Sequence, residues 1–431
     1  MKKLLLIIFC FSLFLFSCGS KSDTTADGEK IIKVWSQASP EIAEGIITKQ
    51  MIEKFNEKYK GQYKAEVEFI ARGGAGSGFD DKVNAAITAN ELPDVLHIDG
   101  PNVATFAENG IIVPIGDYYT QEELDSFDPS IIAQGTYKEQ LWALGYINSA
   151  VVLFYNKDIF EKAGITPANG FDDVWTWDNL YDALVKVKEY DPNILPLDMH
   201  LNEWTEWLIY GLLPFVQSAD TQNKGVVSPD GLEVVGYLDS QATREAFKFI
   251  QKLVQEKLTS ISPAQYVFNT GNAAMLLYGT WEIENLKKNY TNLNWGYMPY
   301  PRYHQGEIKG PMGSWTFGVT SSSKNPEIAA ELIKILCSEE ASLEMASQSG
   351  NLPVHKLSEN DTSPYSEGGE YYLAMQQTLL YGTPRPITPV YQYLSYQFQA
   401  AIQAIISGQD VDKVVDDMTQ KVEKELSVYR K

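Results

Sequence analysis

The chain has 431 residues, 44% hydrophobic and 21% charged, the composition of a globular protein rather than a disordered or fibrous one. At this length it should form two domains or two large lobes, each with a core of its own. Asp and Glu number 56 against 35 Lys and Arg, a formal net charge of −21. That balance argues against nucleic acid and against an anionic membrane surface as partners, because both require a basic face.

Lys2 and Lys3 precede an apolar run from Leu4 to Phe16, broken only by Ser12 and followed by Ser17, Cys18, Gly19 and Ser20. A basic start, a short apolar stretch and small residues read as a secretory signal over residues 1–17. The run is too short to span a bilayer, which takes about 20 apolar residues. Leu15-Phe16-Ser17-Cys18 resembles a bacterial lipobox, with Phe16 bulkier than the usual residue at its place. The resemblance implies acyl chains such as palmitate on Cys18, which would become the first mature residue. An ordinary signal peptide with an incidental cysteine is the alternative. Residues 18–30 are polar and aperiodic, a flexible tether. Two or three acyl chains would hold the protein on a membrane, extracytoplasmic, on the periplasmic or outer-surface side.

Ile31-Ile32-Lys33-Val34-Trp35 suits a buried strand, and Ser39-Pro40 opens a helix along which Ile47, Met51, Phe55 and Tyr59 recur every four residues. Residues 65–70 alternate as a second strand, 79–90 are helical, and 93–98 form a third strand. This order implies an α/β lobe with a largely parallel sheet. Residues 141–155 contain a further apolar strand, and a second α/β alternation runs to about 297. Phe247, Ile250, Leu253 and Val254 mark one helix, and Val411, Val415, Met418, Val422 and Leu426 another. The Pro-rich Tyr297-Met298-Pro299-Tyr300-Pro301 reads as an extended connector between lobes.

Signals of chemistry are sparse. Three cysteines cannot make a disulfide framework, and His97, His200, His304 and His355 are scattered, so neither metal nor other cofactor is expected. Arg72-Gly73-Gly74-Ala75-Gly76-Ser77-Gly78 lies between a strand and a helix but lacks the Lys-Ser/Thr of a phosphate loop. It reads as a loop at a cleft rim. His200, Glu203 and Glu206 sit at helical spacing and read as a polar helix face rather than a metal set. No G-x-S-x-G nucleophile elbow is present. The informative feature is aromatic content: nine Trp and 25 Tyr, several beside Gly or polar residues. Examples are Glu203-Trp204-Thr205-Glu206-Trp207, Gly279-Thr280-Trp281-Glu282 and Gly313-Ser314-Trp315. A flat indole covers the apolar face of a sugar while polar side chains satisfy the hydroxyls around it.

Phe154-Tyr155-Asn156-Lys157-Asp158-Ile159-Phe160-Glu161-Lys162-Ala163-Gly164-Ile165 resembles the YNKDLFEKAGI stretch of the solute-binding proteins, family 1, of bacterial carbohydrate ABC transporters. Trp175-Thr176-Trp177-Asp178 is similar to that family's TWDEL, and Pro93-Asp94-Val95 with Phe106-Ala107-Glu108-Asn109-Gly110 to its PDVV and FAENG. Ala274-Met275 through Trp281, Lys324-Asn325-Pro326-Glu327 and Arg385-Pro386 follow in the family's order, so the likeness extends from about residue 31 to 428. It implies the two-lobed periplasmic-binding-protein fold (type II), an α/β fold of discontinuous lobes joined by a hinge, with the ligand cleft between them. On this basis crossings are expected at 141–146, 297–301 and 340. The N-terminal lobe would comprise 31–143 and 300–340, the C-terminal lobe 144–299 and 341–431.

The resemblance also implies candidate ligand contacts. Ser36 and Gln37 follow the first strand; Asp99 follows the third; Asn148 and Ser149 precede the hallmark stretch. Trp204 and Trp281 are the stacking aromatics, and Gly313, Ser314 and Trp315 are a close approach to the ligand. Arg385 is the guanidinium for paired hydroxyls, and Arg72 a weaker candidate. The expected function is a monomeric lipoprotein, not an enzyme, that binds a small carbohydrate, an oligosaccharide or disaccharide rather than a monosaccharide. It would deliver the ligand by hinge closure to the transmembrane subunits of an ABC permease. The rival readings are a co-receptor for a sensor or chemoreceptor, a binder of a non-sugar solute such as a polyol or glycerophosphodiester, and a secreted glycosidase, which needs two carboxylates across a scissile bond.

Overall fold

In the computed structural model, which describes residues 24–71, 78–203, 205–358 and 363–430, the β-branched run Lys30–Ser36 forms β1 and buries Ile32 and Val34 completely. It pairs in parallel with β2 (Tyr63–Phe69) and β3 (Val95–Asp99). Parallel neighbours need crossovers, here the helices Ala43–Lys58 and Phe79–Ala89. Ile47, Met51 and Phe55 line the buried face of the first. It begins at Ala43, after Ile42 and with no side-chain cap, rather than at Ser39-Pro40. The second ends on Asn90 at φ 55°, a left-handed cap that Asn tolerates. Residues 24–29, assigned to the tether by composition, fold back as a turn in which the Thr25 amide donates to the Glu29 carbonyl at 2.8 Å.

A short hairpin, β4 (Thr136–Tyr137) and β5 (Gln140–Leu141), leads into the 14-residue β6 (Ala143–Asn156). Then follow β7 (Leu195–Asp198), β8 (Ala273–Gly279), β9 (Trp295–Met298), β10 (Gly310–Val319) and β11 (Gly382–Thr383). The main sheet has the order β2-β1-β3-β10-β6-β8-β7, with β9 on β6 and β11 on β10. β10 is antiparallel to both β3 and β6. Together β6 and β10 carry the chain between the two lobes.

The cores show where each strand changes lobe. Leu144, Tyr146, Ile147, Phe317 and Val319 pack with Ile32, Val34 and Phe55 in the first core. Val151 and Leu153 pack with Leu197, Phe215 and Met275 in the second. The change therefore falls at Asn148–Ser149 on β6, opposite Ser314 and Gly313 on β10. Leu352 exchanges backbone hydrogen bonds of 2.8 and 2.9 Å with Asn148, but the third crossing comes after Val354, which packs in the first core, and before Tyr365, which packs with Phe154 and Leu276 beyond the junction. The helix Glu339–Ser349 places Ala341 and Met345 in the first core. Each crossing thus lies later in the chain than 141–146, 297–301 or 340. On β6 the reason is that one strand stays buried through both lobes: the only polar break in its interior, Asn148-Ser149, is where the buried surface changes owner, and no Gly or Pro turn marks it. The Pro-rich 297–301 segment is not a crossing. Met298 and Tyr300 are fully buried in the second core, and the Tyr300 hydroxyl donates to the Gly211 carbonyl at 2.8 Å.

Candidate ligand site between the lobes

Arg385 lies just after β11, followed by Pro386, which favours extended backbone at the residue before it. Its guanidinium grips Asp99, the last residue of β3, with both oxygens engaged: Nη1 to Oδ2 at 2.7 Å and Nη2 to Oδ1 at 2.5 Å. Arg385 is 9% and Asp99 7% exposed, so this planar fork-to-carboxylate pair is largely shielded from water. Nη1 also reaches Glu206 Oε2 and the Tyr391 hydroxyl, each at 3.3 Å. Glu206 stands at the start of the helix Trp207–Ala219 in the second lobe. Its Oε2 accepts from the Tyr391 hydroxyl at 2.6 Å and its Oε1 from the Ser395 hydroxyl at 2.5 Å. Tyr391 and Ser395 share one face of the helix Tyr391–Ile406 at helical spacing. One cation from the C-terminal segment therefore joins a carboxylate of each lobe.

Electrostatics follow from this enclosure. Burial opposes the charge on Arg385, but Asp99, Tyr391 and Glu206 outweigh it and hold the guanidinium protonated, well above its ordinary range. Burial raises Glu206 above the usual carboxylate range, against the pull of Arg385. Its side chain nonetheless keeps 42% of its surface accessible, so it lines space that a ligand can reach. The guanidinium carbon sits 5.0 Å from the centre of the Tyr210 ring, a cation–π arrangement. Burial pushes the Tyr210 phenol up to about 12. The Ser149 hydroxyl donates to the Gly313 carbonyl at 3.2 Å, and its oxygen lies 2.8 Å from the Tyr210 hydroxyl. Tyr210 is therefore the donor to Ser149.

Glycine makes this closeness possible. A Cβ on Gly313 would meet the Tyr210 ring at 3.1 Å and Arg385 Nη2 at 3.3 Å. A Cβ on Gly279 would sit 2.2 Å from the Trp281 ring, so that indole folds back over its own strand only because Gly279 precedes it. Trp281 is half-buried and stacks 6.3 Å from Tyr210 at an interplanar angle of 23°. Trp207 and Tyr278 meet its edges. The result is an aromatic wall beside the charged cluster.

The expected site residues divide. Asp99, Ser149, Trp281, Gly313 and Arg385 come together around the junction. Asn148 is buried there; its Oδ1 accepts the Ser149 amide, and its backbone pairs with Ser314. Ser36 is fully buried, with its hydroxyl 3.2 Å from His97 Nδ1, and Gln37 Nε2 donates to the His97 carbonyl at 3.2 Å. In this conformation those two serve the first lobe's interior. Trp315 is half-buried, opposite Asp99 on the neighbouring strand and edge-on to His97 at 5.0 Å. Trp204, Arg72 and Cys18 lie outside the described residues. Glu206, Tyr210 and Tyr391 were not anticipated. Tyr210 sits in an apolar helix that reads as core, and only the acid-aromatic cluster at 203–207 hinted at Glu206.

His200 does not assemble a metal set with Glu203 and Glu206. His200 Nδ1 pairs with Glu203 Oε1 at 2.7 Å, whereas Glu206 turns to Arg385. Among the described residues no group of three His, Cys, Asp or Glu side chains could hold a metal ion, and no helix is long and apolar enough to cross a membrane. Cys337 is buried and packs in the first core.

The family model described as bacterial extracellular solute-binding protein matches residues 39–342. A binding protein of Brucella abortus (strain 2308) is 25% identical over 359 residues, covering 79% of this chain and 82% of its own. The sn-glycerol-3-phosphate-binding periplasmic protein UgpB of Rhizobium meliloti (strain 1021) is 24% identical over 306 residues, covering 66% and 68%. The crystal structure of the cyclic alpha-maltosyl-1,6-maltose binding protein from Arthrobacter globiformis superposes with a TM-score of 0.77 at 18% identity, covering 93% of this chain and 99% of that one. The fold is thus the two-lobed α/β architecture expected from sequence, with its polar cluster where the lobes meet. The chain belongs to the bacterial extracellular solute-binding protein family.

Proposed function

We propose that this protein is an extracytoplasmic, lipid-anchored binder of a small carbohydrate, which it delivers to an ABC importer by closing its lobes. The observation that carries this reading is the junction itself. Arg385 links Asp99 of one lobe to Glu206 of the other, beside a wall of Tyr210 and Trp281. A ligand held there touches both lobes, so it binds the closed form better and shifts the population towards it. Aromatic faces suit the C–H face of a sugar, and carboxylates and hydroxyls suit its rim. Several rings grouped there, Tyr210, Trp281, Trp207 and Tyr278, favour an oligosaccharide or disaccharide. Cys18 would carry the acyl chains. The likeness to a maltooligosaccharide binder supports a carbohydrate; the likeness to a glycerol-phosphate binder supports a phosphorylated polyol as the second reading.

Intrinsic tryptophan fluorescence of the purified protein, titrated with mono- and oligosaccharides and with sn-glycerol 3-phosphate, tests the reading. A saturable shift with one sugar, weakened at least ~30-fold in Trp281→Ala and without hydrolysis, is the expected result. Silence across the panel from folded protein would sink it, and released reducing sugar would point to a glycosidase. Co-purification with permease subunits rather than a sensor separates delivery from signalling.

A further inference from the structure

We infer that the cleft selects an uncharged, hydroxyl-rich ligand and rejects phosphorylated or carboxylated solutes. This rests on the solute-binding reading above and specifies its ligand. Arg385 is the cation that the described contacts place at the junction; both of its terminal nitrogens are engaged by carboxylates, while Nε is buried without a partner among the described residues. Asp99 takes one hydrogen bond from each, at 2.7 and 2.5 Å, and Glu206 stands 3.3 Å from Nη1.

Three donors converge on Glu206, Arg385 Nη1, the Tyr391 hydroxyl and the Ser395 hydroxyl, and favour its ionised form against burial and the field of Asp99. The Tyr391 hydroxyl takes a hydrogen bond from Arg385 Nη1 and donates to Glu206 Oε2. The Ser395 hydroxyl takes a hydrogen bond from Gln399 Nε2 and donates to Glu206 Oε1. Both carboxylate oxygens are therefore acceptors. With Glu206 ionised, two carboxylates stand against one guanidinium among the described residues of this cluster, leaving them one unit negative. The neighbouring polar residues do not reverse this: His200 is paired with Glu203, and Glu282 accepts from Asn269 at 2.5 Å and Asn285 at 2.8 Å.

Nε is shut off from solvent, so a phosphate arriving here would have to compete with Asp99 or Glu206 for the terminal nitrogens of Arg385, and displacing either would strand a shielded carboxylate without its counter-charge. Left in place, the same carboxylates repel it. A sugar hydroxyl meets no such conflict. It can donate to the accessible edge of Glu206 and stack its ring on Trp281 while the Arg385–Asp99 pair stays closed. The pair then acts as a fixed support for the carboxylate that receives the ligand.

Isothermal titration of the full-length protein with neutral di- and trisaccharides, with their phosphorylated counterparts, with a glucuronide and with sn-glycerol 3-phosphate decides the matter. The expected result is saturable binding of a neutral sugar, with its phosphorylated form at least ~100-fold weaker, the scale of leaving one desolvated charge unpaired. In Glu206→Gln the gap should narrow about tenfold, because the surplus charge is removed while one acceptor oxygen remains. Phosphorylated ligand binding as tightly as neutral sugar, or more tightly, overturns the selectivity and leaves the solute-binding role standing. No binding of any sugar or phosphate by protein shown to be folded overturns both.

Discussion

His97 and Asp99 lie two residues apart on β3 and so project from the same face of the strand, yet they serve different structures. His97 bonds Ser36 on one side and the Tyr146 hydroxyl, 3.0 Å from Nε2, on the other. All three belong to the first lobe, and this network is complete whether the lobes are apart or together. Asp99, at the strand's end, bonds a guanidinium that also reaches Glu206 across the junction. Its energy depends on the separation of the lobes. A buried polar network within one lobe sets stability, while the same chemistry shared between lobes makes closure a variable that a ligand can bias.

The largest effect should come from breaking the shared network. Asp99→Ala leaves Arg385 shielded and half-paired, and about 3–5 kcal/mol of unfolding free energy should be lost, together with ligand binding. Urea denaturation and a titration on the same protein check both, and a stability loss under about 1 kcal/mol would contradict the burial of the pair. Within the lobe, His97→Leu strands the Ser36 and Tyr146 hydroxyls and should cost about 2 kcal/mol with ligand affinity unchanged. If affinity fell with it, the two clusters would be coupled rather than separate. Ser36→Ala should cost about 1 kcal/mol, again without altering affinity; a large affinity loss would instead restore Ser36 as a ligand contact.

The smallest effect is one of pH. Burial pushes the His200 imidazole down, but the Glu203 hydrogen bond and the fields of Asp198, Glu203 and Glu282 prevail and raise it above its ordinary 6.5. The folded protein therefore holds this proton more tightly than the unfolded chain. The stabilisation is complete below pH 6.5 and is lost as pH rises through the raised value. Thermal unfolding of the wild type and His200→Asn should differ most below pH 6.5 and converge above it. Asn tolerates the left-handed backbone at this position, where φ is 50°. A difference independent of pH would mean that His200 acts through packing on Tyr278, which it stacks at 4.1 Å.

Sequence alone determined the local elements and the kind of fold. The β-branched run at 31–35, the alternation at 65–70 and the segment at 93–98 place β1, β2 and β3 within two residues of where they form, because such patterns are what a buried or half-buried strand requires. The run of motifs around Phe154–Ile165 and Trp175–Asp178 then points to two lobes and a cleft. Tertiary structure decided the rest. Of the tryptophans noted in sequence, Trp175, Trp177 and Trp207 are buried in the second core, whereas Trp281 keeps an accessible face beside Tyr210. Gly279 lets the Trp281 ring fold back, but nothing in the neighbouring residues tells which indoles end in the core, since a ring packs wherever the facing layer leaves room. The crossing on β6 leaves only a faint mark, the polar pair Asn148-Ser149 in a strand that is apolar on both sides of it. Arg385 was legible as a guanidinium but not as one already held by Asp99, 286 residues away, and Glu206. Which charges meet across such a separation is set by how the lobes pack, and no local pattern records it.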